Sequence, residues 1–136
     1  MACNALSRAG EGITGHAGLF STAEDLSKLA AELLRAAEGK STWLSQSVFE
    51  EFARPHELAR NGNRGLGWGV ERGEKQALGH NGFTGTYIRL ELSRKMYVVL
   101  LTNAVHPTRD NNKLGSVRRA FLDSVLQACD QGTGAN

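Results

Sequence analysis

The segment Gln76–Asn103 constrains the fold more than any other part of this sequence, because it has the pattern of neighbouring antiparallel β-strands. Its middle part alternates between apolar and wetter positions, as a strand with one buried face does. Thr86, Ile88, Leu90 and Leu92 form the set predicted to be buried, and they alternate with the wetter set Tyr87, Arg89 and Glu91. After a polar turn, the unbroken apolar run Met96–Leu101 predicts a central strand that is buried on both faces.

The stretch Gly79–Thr86, just before the alternating strand, is rich in glycine. Glycine inside a strand weakens the strand, and it often marks a position that another backbone or a ligand approaches closely. We therefore predict a binding groove along this stretch.

Helical patterns precede the strands. Ser21 is followed three residues later by Glu24, a capping box that predicts Ser21 as the N-cap of a helix. Gly39 ends this helix at the left-handed C-cap position. Its apolar stripe consists of Leu26, Leu29, Ala30, Leu33, Leu34 and Ala37. A second helix is predicted over Gln46–Ala53, with Ser45 as its cap, Pro55 as its stop, and Val48, Phe49 and Phe52 facing inward.

Further elements complete the predicted fold. Leu66–Val70 alternates as a short strand, and Arg72–Lys75 has the composition of a hairpin turn. An amphipathic helix is predicted over Asn112–Cys129. We therefore expect an α/β chain of the α+β type, an antiparallel sheet with two helices before it and a C-terminal helix packed on it.

The composition argues against several classes of function. The formal net charge is only +2 and the charges are dispersed, so a nucleic acid partner is not expected; the Arg118–Arg119 pair is a weak argument for one. Cys3 and Cys129 form no Cys-x-x-Cys motif, and no histidine or carboxylate spacing predicts a metal site. No apolar run is long enough for a transmembrane helix, so no membrane segment is expected.

Four stretches of the chain resemble one family. The strand that begins His80-x-Gly82 and leads to the run before Asn103 is similar to the third signature of the class C β-lactamase-like serine hydrolases, which include penicillin-binding proteins, carboxypeptidases and esterases. Gly15–Leu26 resembles the AGLFSTAEDL helix start of this family, Leu66–Gly69 its GLGW strand, and Asn103–Arg109 its loop before the last helix. The stretches occur in the family's order, and together they extend over nearly the whole chain.

The resemblance implies roles for residues of the glycine-rich stretch. In the family, this strand borders the nucleophilic serine, its backbone pairs with the substrate, and the N–H after the signature glycine completes the oxyanion hole. Carried over, that donor is the backbone N–H of Phe83, and His80 replaces the signature lysine as an adjustable hydrogen-bond donor. Asn81, Gly82 and Thr84 are then substrate-binding residues. Asn81 stands where threonine is usual, which weakens the inference that the substrate is a penicillin.

Two of the three family signatures are absent. No serine is followed three positions later by lysine, and neither Tyr-x-Asn nor Ser-x-Asn occurs. The chain is therefore predicted to be the C-terminal portion of a serine hydrolase that cleaves an amide or ester through an acyl-enzyme, without a cofactor, and to be inactive alone. Its expected partners are the substrate and the missing N-terminal part of the fold, or a second copy. The resemblance suggests a periplasmic, cell-envelope or secreted location and leaves a cytoplasmic one open.

We accordingly expect a single partial domain over 1–136. It is divided into an irregular opening segment (1–20), a helical part (21–54), antiparallel strands (65–103), a C-terminal helix (110–129) and a tail (130–136). Two alternatives stay open: an ordinary turn role for His80, and a noncatalytic binding or assembly module derived from the fold. Among the other candidate residues, we interpret His16 and His106 as structural, His56 as a solvated loop residue, and Trp43 and Trp68 as core residues.

Overall fold

The computed structural model describes residues 18–56, 63–71, 76–110 and 113–132. The helices in these residues are α1 (Ala23–Ala37), α2 (Gln46–Ala53) and α3 (Leu114–Gly132), and the strands are β1 (Gly69–Glu71), β2 (Ala77–Asn81), β3 (Tyr87–Glu91) and β4 (Met96–Leu100). The predicted α+β fold class is confirmed. The expected turn Arg72–Lys75, His16, most of the opening segment and the end of the tail lie outside the described residues.

Helix α1 begins one residue later than the capping box predicts. Its N-cap is Thr22, whose hydroxyl accepts a hydrogen bond from the Asp25 N–H at 3.1 Å. The prediction of Ser21 as the cap is therefore wrong, because Thr22 and Asp25 form the same arrangement one position on. Gly39 follows the end of the helix with φ of 69°, as predicted.

Helix α2 has the predicted bounds and the predicted cap, Ser45. It buries Phe49 and Ala53, whereas Val48 and Phe52 are 42% and 45% exposed. The prediction that all three larger apolar side chains face inward is therefore wrong. Residues four apart share one face of a helix, so Phe49 shares its buried face with Ala53.

The sheet is an antiparallel meander in the order β1-β2-β3-β4. Gly79 of β2 lies opposite both Gly69 of β1 and Arg89 of β3, and Arg89 in turn lies opposite Val98 of β4. No strand of the described part of the chain pairs with the outer side of β4. β4 is therefore the edge strand of the described sheet, and the second neighbour that its apolar run calls for is not among these residues; Val98 is the one buried residue of β4.

The apolar core lies between one face of the sheet and helices α1 and α2. It consists of Ala30, Leu33, Ala36, Phe49, Ala53, Val70, Leu78 and Leu90. Burial of this apolar surface is the main stabilising contribution to folding. Trp68 packs against the core as predicted, but Trp43 is 64% exposed, so its predicted core position is wrong.

The face of β3 that points away from the apolar core is also buried. Tyr87, Arg89 and Glu91 are 9%, 8% and 1% exposed. Arg89 Nε donates to a Glu91 carboxylate oxygen at 2.6 Å, and its terminal nitrogens donate to both carboxylate oxygens of Glu71 at 2.6 and 2.7 Å. The prediction of a wetter face is wrong because charged groups can be buried when they are paired and hydrogen-bonded.

Helix α3 begins at Leu114 and continues to Gly132, so the predicted boundary between helix and tail at Cys129 is wrong. None of the residues described for α3 is buried. The helix contacts the sheet through Arg118, whose guanidinium carbon lies 5.8 Å from the centre of the Tyr87 ring. Of the helices described, none is long and apolar enough to cross a membrane.

Candidate active-site strand

The end of β2 extends beyond the end of β1. Pairing between these two strands stops at Gly69 and Gly79, whereas pairing between β2 and β3 continues through His80 and Asn81. An open sheet edge therefore lies beside His80 and Asn81, where the sequence predicts the groove. Such an edge presents unpaired backbone groups to which an extended chain can add as a strand.

The hydrogen-bond pattern decides which backbone groups face this open edge. The Gly82 N–H donates to the Thr86 carbonyl at 2.7 Å, and the Leu92 N–H donates to the Gln76 carbonyl at 3.1 Å. The even-numbered residues of β2 therefore bond to β3. Neighbouring residues of an antiparallel strand point their polar groups in opposite directions, so the N–H and C=O of Asn81 face the open edge.

A tight turn over 82–86 follows β2. The Gly85 N–H donates to the Gly82 carbonyl at 3.2 Å. The segment after β4 holds the turn in place, since the Thr102 hydroxyl donates to the Gly85 carbonyl at 2.7 Å and the Ala104 N–H donates to the Thr84 carbonyl at 2.8 Å. The turn is therefore held both by its own hydrogen bond and by the segment after β4.

The backbone N–H of Phe83 lies within this turn. No hydrogen-bond acceptor for it is present among the described residues. The Phe83 side chain is 64% exposed, so it does not anchor the residue in the core. A rigid turn with an unused N–H is a preorganised donor, the property that an oxyanion hole requires.

The side chains of the predicted site residues do not all share one face. His80 lies opposite Ile88 on the face of the apolar core and is exposed, whereas Asn81 lies opposite Tyr87 on the face of α3. Successive residues of a strand point to opposite faces, so the side chains of His80 and Asn81 do not meet. What these residues share is the open backbone edge of β2. Thr84 is partly buried and contributes its carbonyl to the turn.

A cleft of about 480 Å³ lies between the sheet and α3, beside Asn81. Gly79, Asn81 and Tyr87 line it from the sheet, and Arg118 and Arg119 line it from α3. A cleft of about 550 Å³ between α1, α2 and the turn after β3 contains none of the predicted site residues. The cleft beside Asn81 is thus the one that continues from the open edge.

Ionisable groups on the wall of this cleft have shifted pKa values. Burial raises the pKa of the Tyr87 phenol, so this group stays neutral at ordinary pH. Hydrogen bonding from Arg89 lowers the pKa of Glu71 below its usual value of 4.5. Arg89 is thus paired with two carboxylates, and the other arginines that line the cleft are Arg64, Arg118 and Arg119. Within the described residues, no group of three or more His, Cys, Asp or Glu side chains is arranged to hold a metal ion.

Arg118 is the site residue that the sequence analysis missed. Its Nη2 donates to the Gly82 carbonyl at 2.8 Å and to the Thr86 carbonyl at 2.7 Å. The sequence shows Arg118 only as one of two neighbouring arginines on an amphipathic helix. A contact with a backbone carbonyl 36 positions away leaves no signal in the side-chain pattern.

The α+β fold and the open His-x-Gly edge are those expected of a β-lactamase-like serine hydrolase. The profile of the Beta-lactamase family matches residues 2–122, most of the chain. The chain therefore belongs to this family of serine hydrolases.

Curated relatives support this assignment. An N-acetylmuramyl-L-alanine amidase of Bacillus subtilis (strain 168) is 31% identical over 110 residues, which are 71% of this chain and 24% of that protein. A protein of Salmonella gallinarum named "Putative D-alanyl-D-alanine carboxypeptidase" is 28% identical over 133 residues, which are 89% of this chain and 30% of that protein. The chain thus spans less than a third of the length of these relatives. No solved structure matches the chain.

Proposed function

We propose that this chain supplies the active-site strand of a serine hydrolase that cleaves an amide or ester bond through a covalent acyl-enzyme. The observation that carries the proposal is the free Phe83 N–H beside the open edge of β2. An N–H donor aimed at a developing oxyanion contributes about 3–4 kcal/mol to the acylation barrier. Phe83 is proposed to provide one such donor.

The neighbouring residues are proposed to bind the substrate. An extended acyl chain would pair with the outward N–H and C=O of Asn81, as an added strand does. Gly82 leaves this part of the backbone bare, and Thr84 holds the turn through its carbonyl. His80 is exposed at the end of the strand, where its imidazole can donate or accept a hydrogen bond near the reacting group.

The nucleophile is proposed to lie outside this sequence. The sequence contains no Ser-x-x-Lys and no Tyr-x-Asn, and the chain spans 24% and 30% of the two relatives. An N-terminal portion with both motifs would supply the serine and its base, as part of one longer protein or as a separate chain. The names of the relatives, an amidase and a carboxypeptidase, favour an amide substrate over an ester.

The test combines the chain with an N-terminal portion that carries both motifs. The chain alone should not react with a fluorophosphonate or a labelled penicillin, whereas the combination should gain one label, measured by intact-mass spectrometry. Stoichiometric serine labelling of the isolated chain would contradict the proposal. Failure of every such combination would favour the noncatalytic module instead.

His80 is tested in the active combination. We expect His80→Ala to lower kcat by about 100-fold, the scale of a lost proton-transfer or hydrogen-bonding group, and to change the unfolding free energy far less. His56→Ala is the control, because His56 contacts the Glu51 carbonyl at the end of α2. A parallel loss of turnover and stability in His80→Ala would identify His80 as a structural residue.

A further inference from the structure

We propose that Arg118 is a positioning residue that orients and polarises the Phe83 N–H through the carbonyl of Gly82. This inference rests on the proposed function of that N–H. It concerns a residue of the C-terminal helix that lies 35 positions from Phe83 along the chain.

The covalent geometry of one peptide group links the two residues. The Gly82 carbonyl and the Phe83 N–H belong to the same planar group, and in a trans peptide these two bonds point in opposite directions. The hydrogen bond of 2.8 Å from Arg118 Nη2 is the shorter of the two that hold the direction of this carbonyl, the other being the 3.2 Å bond from the Gly85 N–H. It therefore also fixes the direction of the N–H, away from the guanidinium group.

The same guanidinium nitrogen closes the turn. It donates to the Thr86 carbonyl at 2.7 Å, and Thr86 is the residue whose carbonyl accepts the Gly82 N–H. Arg118 thus joins the two ends of the turn that contains Phe83. Rotation of the Gly82–Phe83 peptide group would break this contact.

The charge of Arg118 adds an electronic effect. A charged donor makes a stronger hydrogen bond than a neutral one. Hydrogen bonds in a chain polarise each other, so donation to the Gly82 carbonyl makes the N–H of the same peptide group a better donor. The donor is then strengthened before the substrate binds, which is what stabilisation of an oxyanion requires.

The surroundings of Arg118 indicate that its position is maintained at a cost. Its Nε is buried without a hydrogen-bond partner among the described residues. A buried, unsatisfied donor is unfavourable and calls for a compensating role. The contacts with the two carbonyls and with the Tyr87 ring provide that compensation. Arg119, its exposed neighbour in the cleft, makes none of these contacts and offers a control of equal charge.

The experiment compares Arg118→Gln with Arg119→Gln by NMR of the isotope-labelled chain. In Arg118→Gln we expect changed shifts of the Gly82 carbonyl carbon and the Phe83 amide nitrogen. We also expect the order parameter of the Phe83 N–H to fall from about 0.85 to below about 0.6. Arg119→Gln should leave all three values as in the parent chain. Equal spectra of the two variants at Gly82 and Phe83 would overturn the proposal.

Arg118→Lys distinguishes positioning from a general effect on folding. Lysine keeps the charge and can donate to a carbonyl, so this variant should recover part of the Gly82 shift. It also serves as the test if Arg118→Gln does not fold, which the amide signals of Leu78 and Leu90 in the core report. A folded Arg118→Lys with Gly82 and Phe83 signals partly shifted from those of the parent chain supports the proposal, whereas loss of Phe83 order without any change at Gly82 contradicts it.

Acylation of the active combination separates this inference from the proposed function. Arg118→Gln should lower the acylation rate by roughly 10-fold at unchanged KM, a smaller loss than removal of a whole donor causes. If the NMR changes occur without a change in acylation, the positioning of Phe83 by Arg118 stands and the oxyanion role of Phe83 is wrong. If the NMR changes do not occur, the inference about Arg118 is wrong whatever the acylation rate.

Discussion

At the scale of single residues, the turn after β2 depends on glycine at position 85. Gly85 has φ of 124° and is buried. A Cβ atom at this position would meet the carbonyl group of Thr102, whose carbon atom lies 2.8 Å away. The same contact brings the Thr102 hydroxyl to the Gly85 carbonyl, so the turn and the segment after β4 are in direct backbone contact. A side chain here would disturb both.

We expect Gly85→Ala to lower the free energy of unfolding by about 1–3 kcal/mol from backbone strain, with a further loss from the clash with Thr102. Gly67→Ala is the matched control, because Gly67 also has a positive φ, 79°, but a Cβ atom added there would meet nothing within 4 Å. Urea denaturation of both variants measures the difference. Equal losses would show that the close approach to Thr102 does not contribute.

At the scale of elements, β3 depends on a buried ion network on the α3 face of the sheet. The side chains of Arg89 and Glu91 are 9% and 2% exposed, and Glu71 on β1, whose side chain is 65% exposed, completes the network at its outer end. Removal of one partner from a buried pair leaves the other charge desolvated and unpaired, whereas apolar replacement of both is often tolerated. The network therefore links β1 to β3 across β2 at a site where single substitutions are costly.

We expect Arg89→Met to lower the free energy of unfolding by about 3–5 kcal/mol, because Glu91 is then buried without its partner. The double variant Arg89→Met with Glu91→Met should regain most of this loss. Arg94→Met is the control, since Arg94 pairs with Asp130, which is 60% exposed, and an ion pair with an exposed partner contributes at most about 1 kcal/mol. Thermal and urea unfolding compare the three, and an Arg89→Met variant as stable as Arg94→Met would refute the role of the network.

The pH dependence provides a second measurement of the same network. The pKa of Glu71 is lowered below 4.5 by the Arg89 hydrogen bond, so this interaction stabilises the fold fully above pH 4.5 and is lost as the pH falls through the lowered pKa. The parent chain should therefore lose this contribution on acidification. Arg89→Met lacks the hydrogen bond, so its free energy of unfolding should not contain this contribution at any pH and should not lose it on acidification.

At the scale of the whole molecule, two surfaces of the described part of the chain lack cover. The outer side of β4 has no paired strand among the described residues, and α3 buries none of its residues there. The odd-numbered residues of β3 bond to β4, and the residues opposite them are Met96, Val98 and Leu100. The alternate residues of β4 point their backbone groups the other way, so the N–H groups of Tyr97 and Val99 face outward. An apolar edge of this kind favours pairing with another chain.

We therefore expect the chain expressed alone to be a dimer or larger, or poorly soluble, by sedimentation. Amides in Val98–Leu101 should exchange faster than those of a central strand, with Val99 faster than Val98 and Leu100. Val99→Pro removes only an outward N–H and should reduce self-association, because proline is tolerated on an edge and blocks pairing. A stable monomer with slow exchange throughout β4 would show that another part of the chain covers this edge.

The sequence by itself determined the features that depend on local interactions. The bounds and cap of α2, the left-handed residue Gly39 and the antiparallel order of the strands all follow from neighbouring residues or short turns. The glycines of the stretch Gly79–Thr86 likewise predict one groove, and the structure leaves an open edge at His80 and Asn81 of this stretch. The roles assigned to its residues stay predictions, because the sequence contains no Ser-x-x-Lys nucleophile against which to place them.

Only the tertiary structure decided the features that depend on contacts between distant parts of the chain. Alternation predicts a wet face for Arg89 and Glu91, but it carries no information on the carboxylates that neutralise an arginine or on a helix that covers a strand. It likewise predicts burial of β4 without showing which residues would provide it. The contact of Arg118 with Gly82 is of the same kind, since a backbone carbonyl is present at every residue and only packing selects the one that a side chain reaches.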